Sequence, residues 1–157
     1  MKMKTVILFA SKYGTTGEIA RRIASRIDGA IVHDLKQGNI PNLAEFDCVI
    51  AGSPVYAGMV RREIKTFLSK NINTLREKKL GLFICGLEGN NAKTYFESNF
   101  SREILQTAKA TGFLGGIFDP KKTSALERLI LKIAAKTPKY IDTIDDAKIE
   151  QFVSSLA

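Results

Sequence analysis

The amino-acid sequence predicts a three-layer α/β fold, in which helices cover both faces of a doubly wound, five-stranded parallel sheet. Apolar runs of strand length alternate with segments of helical period, and this alternation is typical of βα units. The 157 residues are enough to bury a core and fit a single domain, 1–157, with 45% hydrophobic and 25% charged residues. We therefore expect the strand order 2-1-3-4-5.

The first half of the chain predicts three strands and two helices. The strands cover about residues 5–10, 30–32 and 48–52, and the third is free of charge, which suits a central position. Two sets of apolar residues recur at helical spacing and each defines one buried helix face. The first set is Ile19, Ala20, Ile23, Ala24 and Ile27, and the second is Val60, Ile64, Phe67 and Leu68.

The second half predicts two further strands, at residues 80–85 and 113–118, separated by a helix that carries Ile104, Leu105 and Ala108. Two helical stripes follow in the tail, on either side of Pro138. They consist of Leu126, Leu129, Ile130 and Ile133, and of Ile149, Phe152, Val153 and Leu156. Thr143 and Asp146 have the spacing of a capping box in front of the second stripe.

Three loops follow the carboxyl ends of central strands, where ligands bind in doubly wound sheets. The first loop consists of Ser11, Lys12, Tyr13, Gly14, Thr15 and Thr16. Hydroxyl groups and a glycine at a helix start favour phosphate binding. The spacing is that of neither a Walker A loop nor a dinucleotide fingerprint. The alternative is a capped turn that binds nothing.

The other two loops suit a flat ring. The second consists of Ser53, Pro54, Val55, Tyr56, Ala57 and Gly58, and its lack of charge suits an apolar ligand stacked on the tyrosine. The third consists of Gly86, Leu87, Glu88, Gly89 and Asn90, and its amides suit the polar edge of a ring. Taken singly, each loop is also compatible with an ordinary turn or connection that binds nothing.

Taken together, the three loops resemble those of the flavodoxin family. Ser11-x-Tyr13-Gly14-x-Thr16 is similar to its phosphate loop, and Ser53-Pro54-x-Tyr56-x-Gly58 to its isoalloxazine loop. The resemblance implies FMN as cofactor, with the phosphate on residues 11–16 and the ring between residues 53–58 and 86–91. Gly115 and Gly116, in the predicted fifth strand, also match.

Within that family the chain looks most like the branch that includes the menaquinone-dependent protoporphyrinogen oxidase of bacteria. The cues are Ile7-Leu8-Phe9 before the first loop, a short link from Tyr56 into a helix, and a basic helix over 127–136. Ordinary flavodoxins are acidic and often carry an aromatic in the third loop, whereas this chain has a net charge of +8 and no aromatic there. The ring is therefore expected to be more open to a second molecule.

Two redox functions follow from the resemblance, and the sequence does not choose between them. One is electron transfer to a partner protein through bound FMN, and the other is an FMN enzyme with a quinone acceptor, similar to protoporphyrinogen oxidase. A third, non-redox function as a nucleic-acid module rests on the positive charge alone, and no recognised binding motif accompanies it. We therefore expect no nucleic-acid partner.

The remaining features bear on location and partners. Cys48 and Cys85 lie in strand patterns and are expected to be buried, reduced thiols of a cytoplasmic protein. Segment 121–139 is strongly basic, and it predicts a peripheral contact with an anionic membrane or an acidic redox partner. The alternative is a stripe packed on the sheet with solvated lysines. Its basic residues are Lys121, Lys122, Arg128, Lys132, Lys136 and Lys139.

Overall fold

The computed structural model describes residues 2–122, 124 and 139–157. Its strands are β1 (Thr5–Phe9), β2 (Ile31–Asp34), β3 (Cys48–Tyr56), β4 (Met59–Val60), β5 (Lys79–Cys85), β6 (Ala108–Phe113), β7 (Ile117–Phe118) and β8 (Ile141–Asp142). Its helices are α1 (Thr15–Ala24), α2 (Arg62–Lys70), α3 (Ile72–Leu75), α4 (Ala92–Asn99), α5 (Arg102–Thr107) and α6 (Asp146–Ser154). Short 3-10 turns lie at Leu35–Gln37 and Leu43–Glu45.

The main sheet is parallel and has the order β2-β1-β3-β5-β6. The predicted order 2-1-3-4-5 is confirmed, because β4 is a short antiparallel strand paired only with the end of β3. In the centre of the sheet, Ile7 lies opposite Val32 on one side and Ile50 on the other. These central strands are buried on both faces, which explains why their sequences are continuously apolar.

Alternate side chains along the strands point to opposite faces of the sheet and pack into two separate hydrophobic cores. Val6 and Leu8 face one cluster, which α2, α3, α4 and α5 cover. Ile7 and Ile50 face the other, which α1 and α6 cover. Each aliphatic side chain that is fully buried in this way contributes about 1.5–3 kcal/mol of transfer free energy. The two layers hold the strand ends, and hence the loops that follow them, in fixed positions.

Ion pairs at the protein surface tie α1 to α6. Arg22 and Arg26 each contact Asp146, at 3.3 and 3.0 Å, and Arg26 also contacts Glu150 at 2.9 Å. These pairs are largely exposed, so each adds at most about 1 kcal/mol. They nevertheless fix the rotation of α1 against the C-terminal helix.

The predicted position of the fifth strand is wrong. The apolar run at 113–118 suggested a strand, whereas the strand that pairs with β5 is Ala108–Phe113. This strand lies at the sheet edge with Lys109 exposed, so it does not need a continuous apolar sequence. Gly115 has φ +89 and ends the strand conformation, so the glycines lie in the loop after β6. The chain then forms β7, which pairs antiparallel with β8.

Several element ends also differ from the predictions. Strand β3 continues past residue 52 to Tyr56. Val60, which was predicted in a helix, lies in β4 before α2, and Ala108, also predicted in a helix, lies in β6 after α5. The last helix is capped by Asp145, whose side chain accepts a hydrogen bond from the amide of Lys148. Thr143 instead donates its hydroxyl to the Gly116 carbonyl. The predicted stripe at 126–133 lies outside the described residues.

A close contact in the second core predicts the effect of one substitution. A Cβ atom at Gly52 would lie 2.0 Å from the ring of Phe83, which is itself 1% exposed and has no room to move. Gly52→Ala should therefore lower the free energy of unfolding by about 1–3 kcal/mol, as overpacking does. Urea unfolding of the single variants and of Gly52→Ala/Phe83→Leu measures this, because the smaller residue should relieve part of the loss. Additive losses in the double variant would contradict the steric explanation.

Candidate functional site

The three loops meet at the carboxyl edge of the sheet around a cavity of about 1010 Å³. This volume is at the upper end of the range of small-molecule pockets, about 300–1,000 Å³. Most of the residues that the sequence singled out line this cavity. They are Lys12, Tyr13, Gly14, Thr15, Pro54, Val55, Tyr56, Ala57, Gly58, Gly86, Leu87 and Glu88.

The first loop presents the start of α1 to the cavity without a side-chain cap. Gly14 adopts φ 91, which a side chain would disfavour, and its amide donates to the Ser11 hydroxyl at 2.8 Å. The amide of Glu18 donates to the Gly14 carbonyl and closes the first helical turn. The amides of residues 15–17 precede that bond and have no partner within the helix. They leave partial positive charge at this end of the cavity.

Other predicted site residues support the loops from behind and do not line the cavity. Thr16 is 1% exposed, and its hydroxyl lies 3.1 Å from the Cys85 sulfur. The buried Ser53 hydroxyl donates to the Pro54 carbonyl at 2.9 Å and accepts from the Arg61 amide at 2.8 Å.

The far end of the third loop is held in a similar way. The Asn90 amide donates to the Glu88 carboxylate at 3.0 Å. A Cβ atom at Gly89 would lie 3.2 Å from the Phe113 ring, so the loop packs closely on the end of β6. These contacts shape the third loop, and Glu88 remains on the cavity wall.

The second loop is the end of β3 followed by a two-residue hairpin. Ala57 and Gly58 both have positive φ, 49 and 78, the combination that a type I′ turn requires. Asn99 of α4 holds this turn, because its amide donates to the Gly58 carbonyl at 2.7 Å and its oxygen accepts from the Val60 amide at 3.0 Å. The turn is therefore fixed by a buried side chain 41 residues away, which no local sequence pattern indicates.

A lysine between two tyrosines forms part of the cavity wall. The Lys12 ammonium lies 5.1 Å from the centre of the Tyr13 ring and 4.9 Å from that of Tyr56. The two rings meet edge to face, with centres 6.0 Å apart. Both distances suit cation–π attraction, so the first and second loops are joined at this point.

The sequence analysis missed the parts of the wall that come from outside the three loops. Arg21 and Arg22 reach it from the outer face of α1, and Tyr95 reaches it from α4. The rest comes from the last residue of β6 and the chain after it, and only Gly115-Gly116 indicated this part of the wall. These residues are Phe113, Gly116, Ile117, Phe118, Asp119, Lys122, Tyr140 and Asp142.

Comparison with known proteins identifies the fold and the family. The family model described as a flavodoxin domain matches residues 6–144. The chain belongs to the flavodoxin family. No curated protein matches the sequence.

Solved structures of flavodoxins are similar to this chain. Flavodoxin 2 from Bacillus cereus is 20% identical, with 98% of this chain and 97% of that one covered and a TM-score of 0.61. A flavoprotein from Lactobacillus acidophilus, in complex with FMN, is 22% identical, with 72% and 91% covered and a TM-score of 0.52. A flavodoxin mutant from Fusobacterium nucleatum, bound to FMN, is 14% identical, with 99% and 96% covered and a TM-score of 0.53.

These findings confirm the flavodoxin family, but they do not support the predicted branch that includes the menaquinone-dependent protoporphyrinogen oxidase. None of the three structures is described as a protoporphyrinogen oxidase, and nothing in the comparisons supports a nucleic-acid module. Within the described part of the chain, no helix has the length and apolarity needed to cross a bilayer. Most of the basic segment 121–139 lies outside the described residues, so its predicted membrane contact is not tested.

FMN is the cofactor of this flavodoxin, and the residues present fit it. The uncapped start of α1 suits a phosphate, and the wall formed by Pro54, Val55 and Leu87 suits an apolar ring. The cavity is also balanced in charge over the described residues. The basic residues Lys12, Arg21, Arg22 and Lys122 face the acidic residues Glu18, Glu88, Asp119 and Asp142.

The two cysteines are free, buried and protonated, as the sequence predicted. Burial raises the pKa of the Cys48 thiol to about 11 and that of the Cys85 thiol to about 12. The neighbouring hydroxyls of Thr5 and Thr16 oppose these shifts only in part. Neither thiol is therefore a thiolate at neutral pH, although Cys85 borders the cavity.

The raised pKa values predict that both thiols are inert in the folded protein. At pH 8 the native protein should not react with iodoacetamide, whereas the urea-unfolded protein should take up two equivalents, since thiolates form readily only after unfolding. Intact-mass spectrometry measures the uptake. Ser98→Cys, on the exposed face of α4, is the positive control and should be modified in the native state. Modification of native Cys48 or Cys85 would contradict the prediction.

Proposed function

We propose that this flavodoxin transfers electrons to a partner protein through FMN bound in the cavity at the carboxyl edge of its sheet. The observation that carries the proposal is the uncapped start of α1, which faces a cavity that also has apolar and aromatic residues in its wall. When bound, FMN supplies the redox chemistry, and the chain supplies binding, orientation and electrostatics.

In this proposal the phosphate is held by residues 11–16. The proposed donors are the amides at the start of α1 and the hydroxyl of Thr15, a residue that lines the cavity. Arg21 and Arg22 also border it, but each contacts Glu18, at 3.5 and 3.2 Å. Glu18 therefore engages both guanidinium groups, and Asp146 also engages that of Arg22, so in this proposal the neutral donors carry the phosphate contact.

The ring is held between residues 53–58 and 86–90. Pro54, Val55 and Leu87 offer apolar contact, while backbone amides of the third loop suit the polar edge of the ring. Ser53 and Asn99 fix the second loop through the hydrogen bonds described above. The side chains that touch the ring are thus positioned by buried polar residues, which limits their motion.

The phosphate contact gives the first test. Thr15→Ala should weaken FMN binding by about 1.5–3 kcal/mol, or roughly tenfold or more, because a hydrogen bond to a charged group is lost. Riboflavin lacks the phosphate, so its affinity should be the same for the variant and the parent. Fluorescence titration of the apoprotein measures both dissociation constants. An equal change for the two flavins, or none for FMN, would contradict this assignment.

The electron-transfer role has its own test. Protein reduced with dithionite under anaerobic conditions should pass its electrons to a haem protein in stopped-flow mixing, and apoprotein without FMN should not. A shuttle needs no site for a small substrate. The rate of reoxidation by a soluble menaquinone analogue should therefore rise linearly with its concentration. Saturation at low concentration would favour the quinone-linked enzyme instead.

A further inference from the structure

A second concavity, of about 750 Å³, adjoins the cofactor cavity and shares Lys12 and Tyr56 with it. It lies along α2, with β4 and the segment at residues 35–40 as its other walls. We call it the α2 groove. Its floor is apolar and contains Val60 and Phe67, which are 6% and 3% exposed.

The charge of the α2 groove is unbalanced, unlike that of the cofactor cavity. Lys12, Arg61, Arg62 and Lys70 line it, and Glu63 is the one acidic residue among its described lining. Glu63 pairs with Arg61 at 3.0 Å. Its own backbone amide and Arg61 hold the pKa of this carboxyl below its ordinary value, so it is ionised at neutral pH.

Two cationic side chains of the groove, Arg62 and Lys70, have no acidic partner among the described residues. Among the same residues, the buried Arg61 Nε also has no hydrogen-bond partner. Helix α2 also begins here without a side-chain cap, which adds partial positive charge. An occupant of this groove must therefore be anionic.

The apolar residues at the rim indicate a protein and not a small molecule. Ile40 and Met59 are 46% and 54% exposed, and Tyr56 is 38% exposed where the two cavities meet. A small-molecule pocket encloses its ligand, whereas these side chains stand open and need cover from outside. A partly apolar centre with a charged rim is the arrangement of protein interfaces. A flat membrane surface would not fill a concave groove.

We propose that the α2 groove is the docking site for an acidic surface of the redox partner, with an apolar contact on Ile40 and Met59. The inference rests on the proposed electron-transfer function and specifies its partner. Docking here brings the partner against Tyr56, which also lines the cofactor cavity. Charge attraction speeds the encounter and makes it sensitive to salt.

The test compares two haem proteins of opposite charge, acidic cytochrome b5 and basic cytochrome c, as acceptors for the reduced holoprotein. Arg62→Glu/Lys70→Glu reverses two groove charges at exposed positions. Lys109→Glu/Lys148→Glu reverses two exposed charges that line neither cavity, with the same change in net charge. Stopped-flow rates are measured at low and high salt, and FMN affinity is measured for each variant.

We expect the groove variant to lose about tenfold or more in rate with cytochrome b5 at low salt, and much less at high salt. Its rate with cytochrome c should rise. The control variant should stay within about twofold of the parent with both acceptors. An equal loss in both variants, or none in the groove variant, would overturn the inference. Absence of FMN binding, or of electron transfer to either cytochrome, would instead overturn the proposed function.

Two further measurements separate a protein partner from other occupants. Ile40→Ser/Met59→Ser leaves the charge unchanged and should slow cytochrome b5 but not ferricyanide, a small anionic acceptor. Equal effects on both acceptors would argue against protein docking.

Carbodiimide joins lysine amines to carboxylates, so the oxidised protein should cross-link to cytochrome b5 at Lys12 or Lys70. Cross-links confined to Lys109 or Lys148, or groove-dependent binding only to phosphatidylglycerol vesicles, would also overturn the proposal.

Discussion

The amide groups at the start of α1 are the constraint on which the site depends. A helix that begins beside a buried strand must satisfy its first N–H groups, and here Gly14 leaves them without a side-chain cap. The Ser11 hydroxyl is occupied by the Gly14 amide, and the Thr16 hydroxyl is turned inward to Cys85. The chain's own hydroxyls thus leave donors open on the cavity side. An anion with several oxygen acceptors, such as the phosphate of FMN, satisfies these donors.

The position of those donors follows from the packing of α1. Its apolar face lies on the sheet through Ile19 and Ile23, which are both 0% exposed, and its outer face is tied to α6 by Arg22 and Arg26. Arg22 also lines the cavity, but its ion pairs lie at the protein surface, where each adds at most about 1 kcal/mol. The buried contacts of Ile19 and Ile23 are therefore the main constraint on the position of the helix start.

The buried strands and the loops that follow them could be predicted from the sequence, because a buried strand is a continuous apolar run and its loop comes directly after it. Strands β1, β3 and β5 are apolar on both faces, and each precedes a loop that reaches the cavity. Edge strand β6 buries Ala110 but exposes Lys109, so its apolar pattern is weak. The fifth strand was therefore predicted too late in the chain. The hydrogen bonds of Asn99 and the reach of Tyr140 to the cavity depend on distant chain segments. No window of the sequence contains both partners of such contacts.

The positions of the charged residues distinguish phosphate binding in the cofactor cavity from partner docking in the α2 groove, which the net charge alone does not. A net charge of +8 suggests that cations hold the phosphate, but the described lining of the cofactor cavity carries equal numbers of acidic and basic residues. Part of the surplus lies in the α2 groove, where four basic residues of the described lining face one carboxylate, and part lies in the basic segment 121–139. Lys12 and Tyr56 are common to both regions, and the Lys12 ammonium lies between the rings of Tyr13 and Tyr56. Through this contact the groove and the cofactor cavity share one wall, and a partner seated in the groove lies directly against the residues that border the flavin site.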